Sequence, residues 1–354
     1  DDSECFVDHC FVGVALISHY STRYPPISAG ACTNSEFRKL SHDRLESAMI
    51  RDDGHTTSCQ ADNAGDCGPT RQVTTTDSTP KTGPSAVIRL RCVAMELQGK
   101  NVVVTGAGRG IGEALAREFH ARGANVVLAD LRGARDVAAT LEGAVGLDAD
   151  VSTEAGNRAL VEQSIEELGQ IDLFFANAGV GTGAGVVETP EDDWELAMNV
   201  NVHAHRWAAK YLLPDWLERG DGYFCSTASA AGLLAQIGSG PYTVTKRAAV
   251  AFAEYMAITY GDRGVKVTCL CPQGVNTAML HAGDDALPGG NVVKAAGDVL
   301  EPADVAVEVA DTIEREGFFV LPHPEVAGYM QLKAENPERW LGGMRKLQRS
   351  VMGS

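Results

Sequence analysis

Tyr242 and Lys246 stand four residues apart in the run Pro-Tyr-Thr-Val-Thr-Lys, and Ser229 lies thirteen residues before the tyrosine. The spacing predicts a helix over 240–262, on which positions i and i+4 share a face and set a phenol beside an ammonium. A phenol ordinarily loses its proton near pH ~10, and a cation held nearby lowers that value by favouring phenolate. A tyrosine tuned in this way can exchange a proton with an alcohol or ketone oxygen as a general acid–base. The pair alone is a common pattern, a core aromatic beside a solvated lysine. Ser229 sits in a run of small residues, Ser226 to Ala231, that close packing explains equally well. The surrounding chain has to decide between the two.

Residues 101–112 read Asn-Val-Val-Val-Thr-Gly-Ala-Gly-Arg-Gly-Ile-Gly. The β-branched run predicts a buried parallel strand over 101–105, covered on both faces. Gly106, Gly108, Gly110 and Gly112 then make a turn that lets backbone approach a phosphate without interference from a β-carbon. A helix predicted over 110–122 would aim its N-terminus at a pyrophosphate, with Arg109 and Ile111 in the cradle. The strict G-x-G-x-x-G fingerprint fails, because counting from Gly106 its last glycine falls on Ile111. The pattern present is Thr-Gly-x-x-x-Gly-x-Gly. Asp130 ends the next predicted strand, 125–130, twenty residues after Gly110, where a carboxylate accepts from an adenosine ribose. Leu131 follows it in the same half of the site. A carboxylate there repels a 2′-phosphate and favours NAD. Arg109 and Arg132 are the counter-argument for NADP, since either could pair with that phosphate.

From about residue 95 to its end the chain resembles the short-chain dehydrogenase/reductase family. Thr105, Gly106, Gly110 and Gly112 match its phosphate loop; Asp150 and Val151 resemble the pair lining its adenine pocket; Asn177-Ala178-Gly179 matches its Asn-Ala-Gly element beside the cofactor. Asn201, seven residues after Trp194, falls where the family's catalytic asparagine does, and Ser229, Tyr242 and Lys246 match the other catalytic positions. Pro272-Gln273-Gly274-Val275-Asn276-Thr277 resembles the turn that holds the nicotinamide carboxamide. It carries one extra residue where the family has proline and glycine adjacent. The resemblance implies that Tyr242 is the acid–base and that Lys246 tunes it and binds the nicotinamide ribose. It further implies that Ser229 orients the substrate oxygen and Asn201 holds a water relaying protons from Lys246.

Strand-like runs at 101–105, 125–130, 144–149, 171–176, 222–226, 265–270 and 317–321 alternate with helical spacing at 110–122, 154–168, 191–218, 240–262 and 303–315. Such alternation predicts an α/β fold: one doubly wound, Rossmann-type parallel sheet of about seven strands with helices on both faces. A further helix is predicted over Gln331 to Gln348. The 354 residues carry a net charge of −17, which argues against binding nucleic acid or an anionic membrane surface. No apolar run approaches the ~20 residues that span a bilayer. Six of the nine cysteines fall in 1–94, as does a polar tract from Arg51 to Pro84. That segment is expected to be a poorly structured extension, not needed for catalysis, preceding a dinucleotide-binding oxidoreductase domain at 95–354. Deleting 1–94 is expected to leave activity and melting temperature unchanged; loss of folding would overturn this. His55, Cys59 and Cys67 match no paired ligand spacing, and no metal is expected. Cys269 and Cys271 share a strand face as buried free thiols, which suits a reducing compartment and a cytoplasmic location.

Leu233, Leu234, Ile237, Met279 and Leu280 are expected to wall an apolar pocket for an uncharged secondary alcohol or ketone. In the family, the segment matching 279–300 is a mobile lid. Family resemblance also implies a homodimer or homotetramer formed through the two long helices. Two rival readings remain: a catalytically silent nicotinamide sensor, which would not need Ser229, Tyr242 and Lys246 together, and an epimerase or dehydratase. The latter branch typically carries Thr-Gly-x-x-Gly-x-x-Gly, which Ala107 and Arg109 do not fit.

Overall fold

The computed structural model describes residues 95–282, 292–295 and 297–352. The expectations for 1–94, and those for 283–291, lie outside these residues. Seven strands form one sheet in the order β3-β2-β1-β4-β5-β6-β7, every pair parallel. They are β1 Asn101–Thr105, β2 Asn125–Asp130, β3 Val145–Asp148, β4 Leu173–Ala176, β5 Gly222–Thr227, β6 Val265–Leu270 and β7 Phe319–Val320. Side chains alternate across a pleated strand, so β1 feeds both cores. Val103 joins one buried layer with Phe174 and Phe224, while Val102 and Val104 join the other with Phe175 and Tyr223. That two-sided burial explains why the strands read as unbroken apolar runs.

The helices are α1 Gly110–Ala121, α2 Ala134–Ala138, α3 Glu154–Leu168, α4 Glu191–Met198, α5 Ala204–Arg219, α6 Ala230–Leu234, α7 Gly240–Tyr260, α8 Pro302–Glu314, α9 Glu325–Glu335 and α10 Pro337–Met352. Single turns lie at Ala278–His281 and Val292–Ala295. The helix expected over 191–218 is two helices joined by a π-helical turn, Asn199–His203. The helix expected over Gln331 to Gln348 breaks at Asn336. There the chain turns extended (φ −149°), and the Asn336 side chain caps the next helix by accepting from Arg339 N at 2.9 Å. Pro337, which has no N–H to donate, opens that helix.

The order of strands reverses between β1 and β4. Ligands of open α/β sheets bind at such a switch point, beyond the carboxyl ends of the strands. Both the glycine turn after β1 and Asn177 after β4 are placed there by topology alone.

Candidate active site

The glycine turn is built for close approach. Gly106 has φ +66°, and a β-carbon on it would stand 2.8 Å from Ala178 Cα and 3.1 Å from the Asn177 side chain. Asn177 locks the turn to β4: its Nδ2 donates to Thr105 O at 2.9 Å, and its Oδ1 accepts from Thr227 Oγ1 at 2.9 Å. Thr105 Oγ1 in turn accepts from the backbone N–H groups of Asn177 and Ala178. Arg109 at the N-cap of α1 is extended and makes no side-chain cap, so the first N–H groups of a twelve-residue helix stand ready for an anion. Asp130, ending β2, accepts from Gly108 N at 3.0 Å and from Arg132 N at 3.2 Å. Each carboxylate oxygen keeps a further lone pair for a ribose hydroxyl. Beside it Leu131 is exposed, as are Arg109 and Arg132. After β3, Asp150 is exposed and accepts from Ser152 N, whereas Val151 packs into the core. Thr277 closes the far side, for a β-carbon on Gly110 would meet its methyl at 3.3 Å. This uncapped, glycine-floored cradle fits a dinucleotide diphosphate.

The four expected catalytic residues converge on the same end of the sheet. Ser229, leaving β5, caps α6 by accepting from Ala231 N at 3.1 Å and donates to Pro272 O at 3.3 Å. On α7, capped by Ser239, Tyr242 and Lys246 lie on one face. Lys246 Nζ sits 5.7 Å from the centre of the Tyr242 ring and donates to the Thr227 carbonyl at 2.9 Å. A β-carbon on Gly179 would stand 3.2 Å from that Nζ and 3.3 Å from Asn201 Oδ1, so a side chain there would crowd the point where lysine and asparagine meet. Asn201, fully buried inside the π-helical turn, has both of its amide hydrogens engaged. Its Oδ1 accepts from Val180 N, and its Nδ2 donates to Val180 O and Thr245 Oγ1.

The electrostatics differ from the simple expectation. Burial pushes the Tyr242 phenol above its ordinary value, and a hydrogen bond with Ser229 draws it back down. Burial also lowers the Lys246 ammonium to about 8, opposed by Cys269 and Cys271. Those two thiols are buried and free, 3.8 Å apart. The downward pull on the phenol thus comes from Ser229, a coupling that sequence spacing does not reveal.

Leu233 and Leu234, expected as pocket wall, pack instead into the core with Phe224 and Val250, because α6 turns them inward beneath Ser229. Met279 remains at the rim, 46% exposed, and Ile237 and Leu280 are half-buried. In the loop after β4, Val186 and Val187 are 78% and 91% exposed. Among the described residues no group of three or more His, Cys, Asp or Glu could hold a metal, and no helix is long and apolar enough to cross a membrane.

A parallel sheet with this switch-point site defines a dinucleotide-dependent oxidoreductase of the Rossmann type. The family model for short chain dehydrogenases matches residues 100–287, and the chain belongs to that family. It is 36% identical over 231 residues to a meso-2,3-butanediol dehydrogenase of Serratia marcescens, an alignment covering 64% of this chain and 92% of the relative. It is 35% identical over 195 residues to a 2,5-dichloro-2,5-cyclohexadiene-1,4-diol dehydrogenase of Sphingobium indicum, covering 54% of this chain and 78% of that one. Among solved structures it is similar to a short-chain dehydrogenase/reductase from Burkholderia phymatum in complex with NAD. There the TM-score is 0.63 and the identity 29%, over 69% of this chain and 96% of that one. A 3-ketoacyl-(acyl-carrier-protein) reductase from Brucella melitensis complexed with NADH matches with TM-score 0.57 and 26% identity, over 64% of this chain and 98% of that one.

Proposed function

We propose that this chain interconverts an uncharged secondary alcohol and its ketone with NAD. The observation that carries the reading is the meeting of Tyr242, Ser229 and Lys246 beside the glycine cradle, at the switch point of the sheet. Gly106, Gly110, Ile111, Gly112 and the start of α1 hold the diphosphate; Asp130 and Leu131, with Asp150 and Val151, take the adenosine. Asn177, Ala178 and Gly179 line the middle, and Pro272, Gly274, Val275 and Thr277 take the carboxamide. Bound there, NAD supplies the hydride acceptor and NADH the donor.

Tyr242 exchanges the proton of the substrate oxygen. Ser229 hydrogen-bonds that oxygen and fixes the reacting carbon relative to the cofactor. Lys246 supplies the cation that favours phenolate and a donor for the nicotinamide ribose. Asn201 supports the proton relay, its side chain holding the loop at Val180 against α7. The apolar side chains of Met279, Ile237 and Leu280, taken as the wall of the substrate site, favour an uncharged substrate. The names of the relatives, two of them diol dehydrogenases, point the same way. A homodimer or homotetramer through α5 and α7 accords with apolar residues on the outside of α7, where Ile258 is 83% exposed. A cytoplasmic location accords with the buried free thiols Cys225, Cys269 and Cys271.

A panel of secondary alcohols and ketones, followed at the nicotinamide absorbance with NAD and NADP, tests the reading. Reduction of NAD by none of them would defeat it. The silent-sensor reading predicts that null result together with tight cofactor binding. Asp130→Ala combined with Leu131→Arg is expected to shift the ratio of kcat/KM toward NADP by about 10- to 100-fold, the worth of one charged hydrogen bond. An unchanged ratio would remove Asp130 from the ribose site.

A further inference from the structure

We propose that His323 is a positioning residue that locks the nicotinamide loop into place at Gln273 and Gly274. The proposal rests on reading Pro272 to Thr277 as that loop. The sheet brings the two together. Strands β6 and β7 pair with an offset of fifty, Cys269 with Phe319 and Leu270 with Val320, and the same offset sets Gln273 opposite His323.

The ring is buried, only 2% exposed. Its Nδ1 accepts from Gln273 N at 3.2 Å. A backbone N–H can only donate, so Nδ1 is unprotonated and the neutral ring carries its hydrogen on Nε2. From there it donates to Gly274 O at 3.1 Å and to Asp298 O at 3.2 Å. Its own carbonyl accepts from Val326 N, tying it to the start of α9. One imidazole therefore joins the loop after β6, the chain returning at Asp298 and the end of the sheet.

What this fixes follows from peptide planarity. The N–H of Gln273 and the carbonyl of Pro272 belong to one plane. That carbonyl accepts from Ser229 Oγ and Ala230 N, so His323 grips the plane on which Ser229 leans. The carbonyl of Gly274 and the N–H of Val275 form the next such plane. This carbonyl also accepts from Leu300 N at 2.9 Å, which fills both of its lone pairs and sets the direction of the Val275 N–H. The Gln273 side chain supplies no such anchor, because its buried Nε2 has no partner among the described residues. His323 supplies both the acceptor and the donor that hold this turn.

The test compares NADH with ADP-ribose, which fills the adenosine and diphosphate sites but has no nicotinamide, by direct binding to the full chain. His323→Phe keeps the ring's bulk and removes its hydrogen bonds. It is expected to weaken NADH about 10-fold, the equivalent of ~1.4 kcal/mol, to lower kcat at saturating cofactor, and to leave ADP-ribose binding at the wild-type level. His323→Asn, which keeps an acceptor and a donor amide on a shorter side chain, is expected to show the same selective loss in smaller measure. It carries the comparison even where the phenylalanine variant does not fold. Equal losses for both ligands, or NADH binding unchanged in both variants, would overturn the proposal. A wild-type chain that binds ADP-ribose but not NADH would sink the loop reading itself, and one that binds neither would sink the whole cofactor site.

Discussion

Tyr242→Phe is expected to reduce turnover by about 10² to 10⁴-fold, the range lost when a positioned acid–base is removed, while NADH binds as tightly as before. The two effects separate because of where the hydroxyl stands. The cradle proposed for adenosine and diphosphate, made of Gly106, Gly110, Asp130 and the start of α1, is built without any contribution from the phenol. The hydroxyl instead faces Ser229, whose hydrogen bond draws its pKa down against the rise that burial imposes. Removing it takes away the proton carrier and the partner that Ser229 has on that side. Ser229 keeps its bonds to Ala231 N and Pro272 O, so the local backbone has no reason to move. Turnover and cofactor titration on the same preparation check this. A variant that reduces ketone at the wild-type rate would leave the phenol without a role. Lost cofactor binding would mean that the ring, and not its proton, is what matters.

The parts of this site that were legible in the sequence are those in which one residue type has few physical substitutes. Gly106 must hold a positive φ against Ala178, and Asp130 ends β2 beside the glycine turn, accepting from Gly108 N; both positions could be read from spacing. Strand positions were legible because burial on both faces leaves unbroken β-branched runs, as at Val102 to Val104. The features that stayed hidden depend on contacts distant in sequence. The π-helical turn at Asn199–His203 leaves the helical hydrophobic pattern intact, so 191–218 reads as one helix; what marks the turn is Asn201 reaching back to Val180. The five-residue α6 hides in a run of small residues that packs equally well as a loop, and it turns Leu233 and Leu234 into core. His323 stands in sequence as an isolated histidine between two prolines, and it is the fifty-residue offset of β6 and β7 that sets it opposite Gln273.

Lys246→Met is expected to lower turnover by at least ~10²-fold, since phenol and ribose lose their cation together, and to change stability in a way that depends on pH. Nζ lies within the fold, bonded to the Thr227 carbonyl and near the Tyr242 ring. Burial lowers its pKa to about 8, against 10.5 ordinarily. Below pH 8 both folded and unfolded chains carry the charge, and folding bears the full cost of desolvating it. Between pH 8 and 10.5 the unfolded chain still binds the proton that the folded chain has released, so the wild type gains stability as pH rises. The gain amounts to about 3 kcal/mol across the window, at ~1.36 kcal/mol per pKa unit. Methionine fills similar volume without a charge, but it strands the Thr227 carbonyl at a cost of about 1–3 kcal/mol. The two effects are comparable at neutral pH, so the sign of the stability change at one pH decides nothing. The decisive quantity is the difference in melting temperature between variant and wild type. That difference should favour the variant most below pH 8 and swing toward the wild type as pH climbs to 10.5. Other lysines, thiols and phenols that titrate in that range are common to both chains and cancel. A difference that stays flat with pH would mean the ammonium is not buried, and with it would go the charge that this site holds against the phenol.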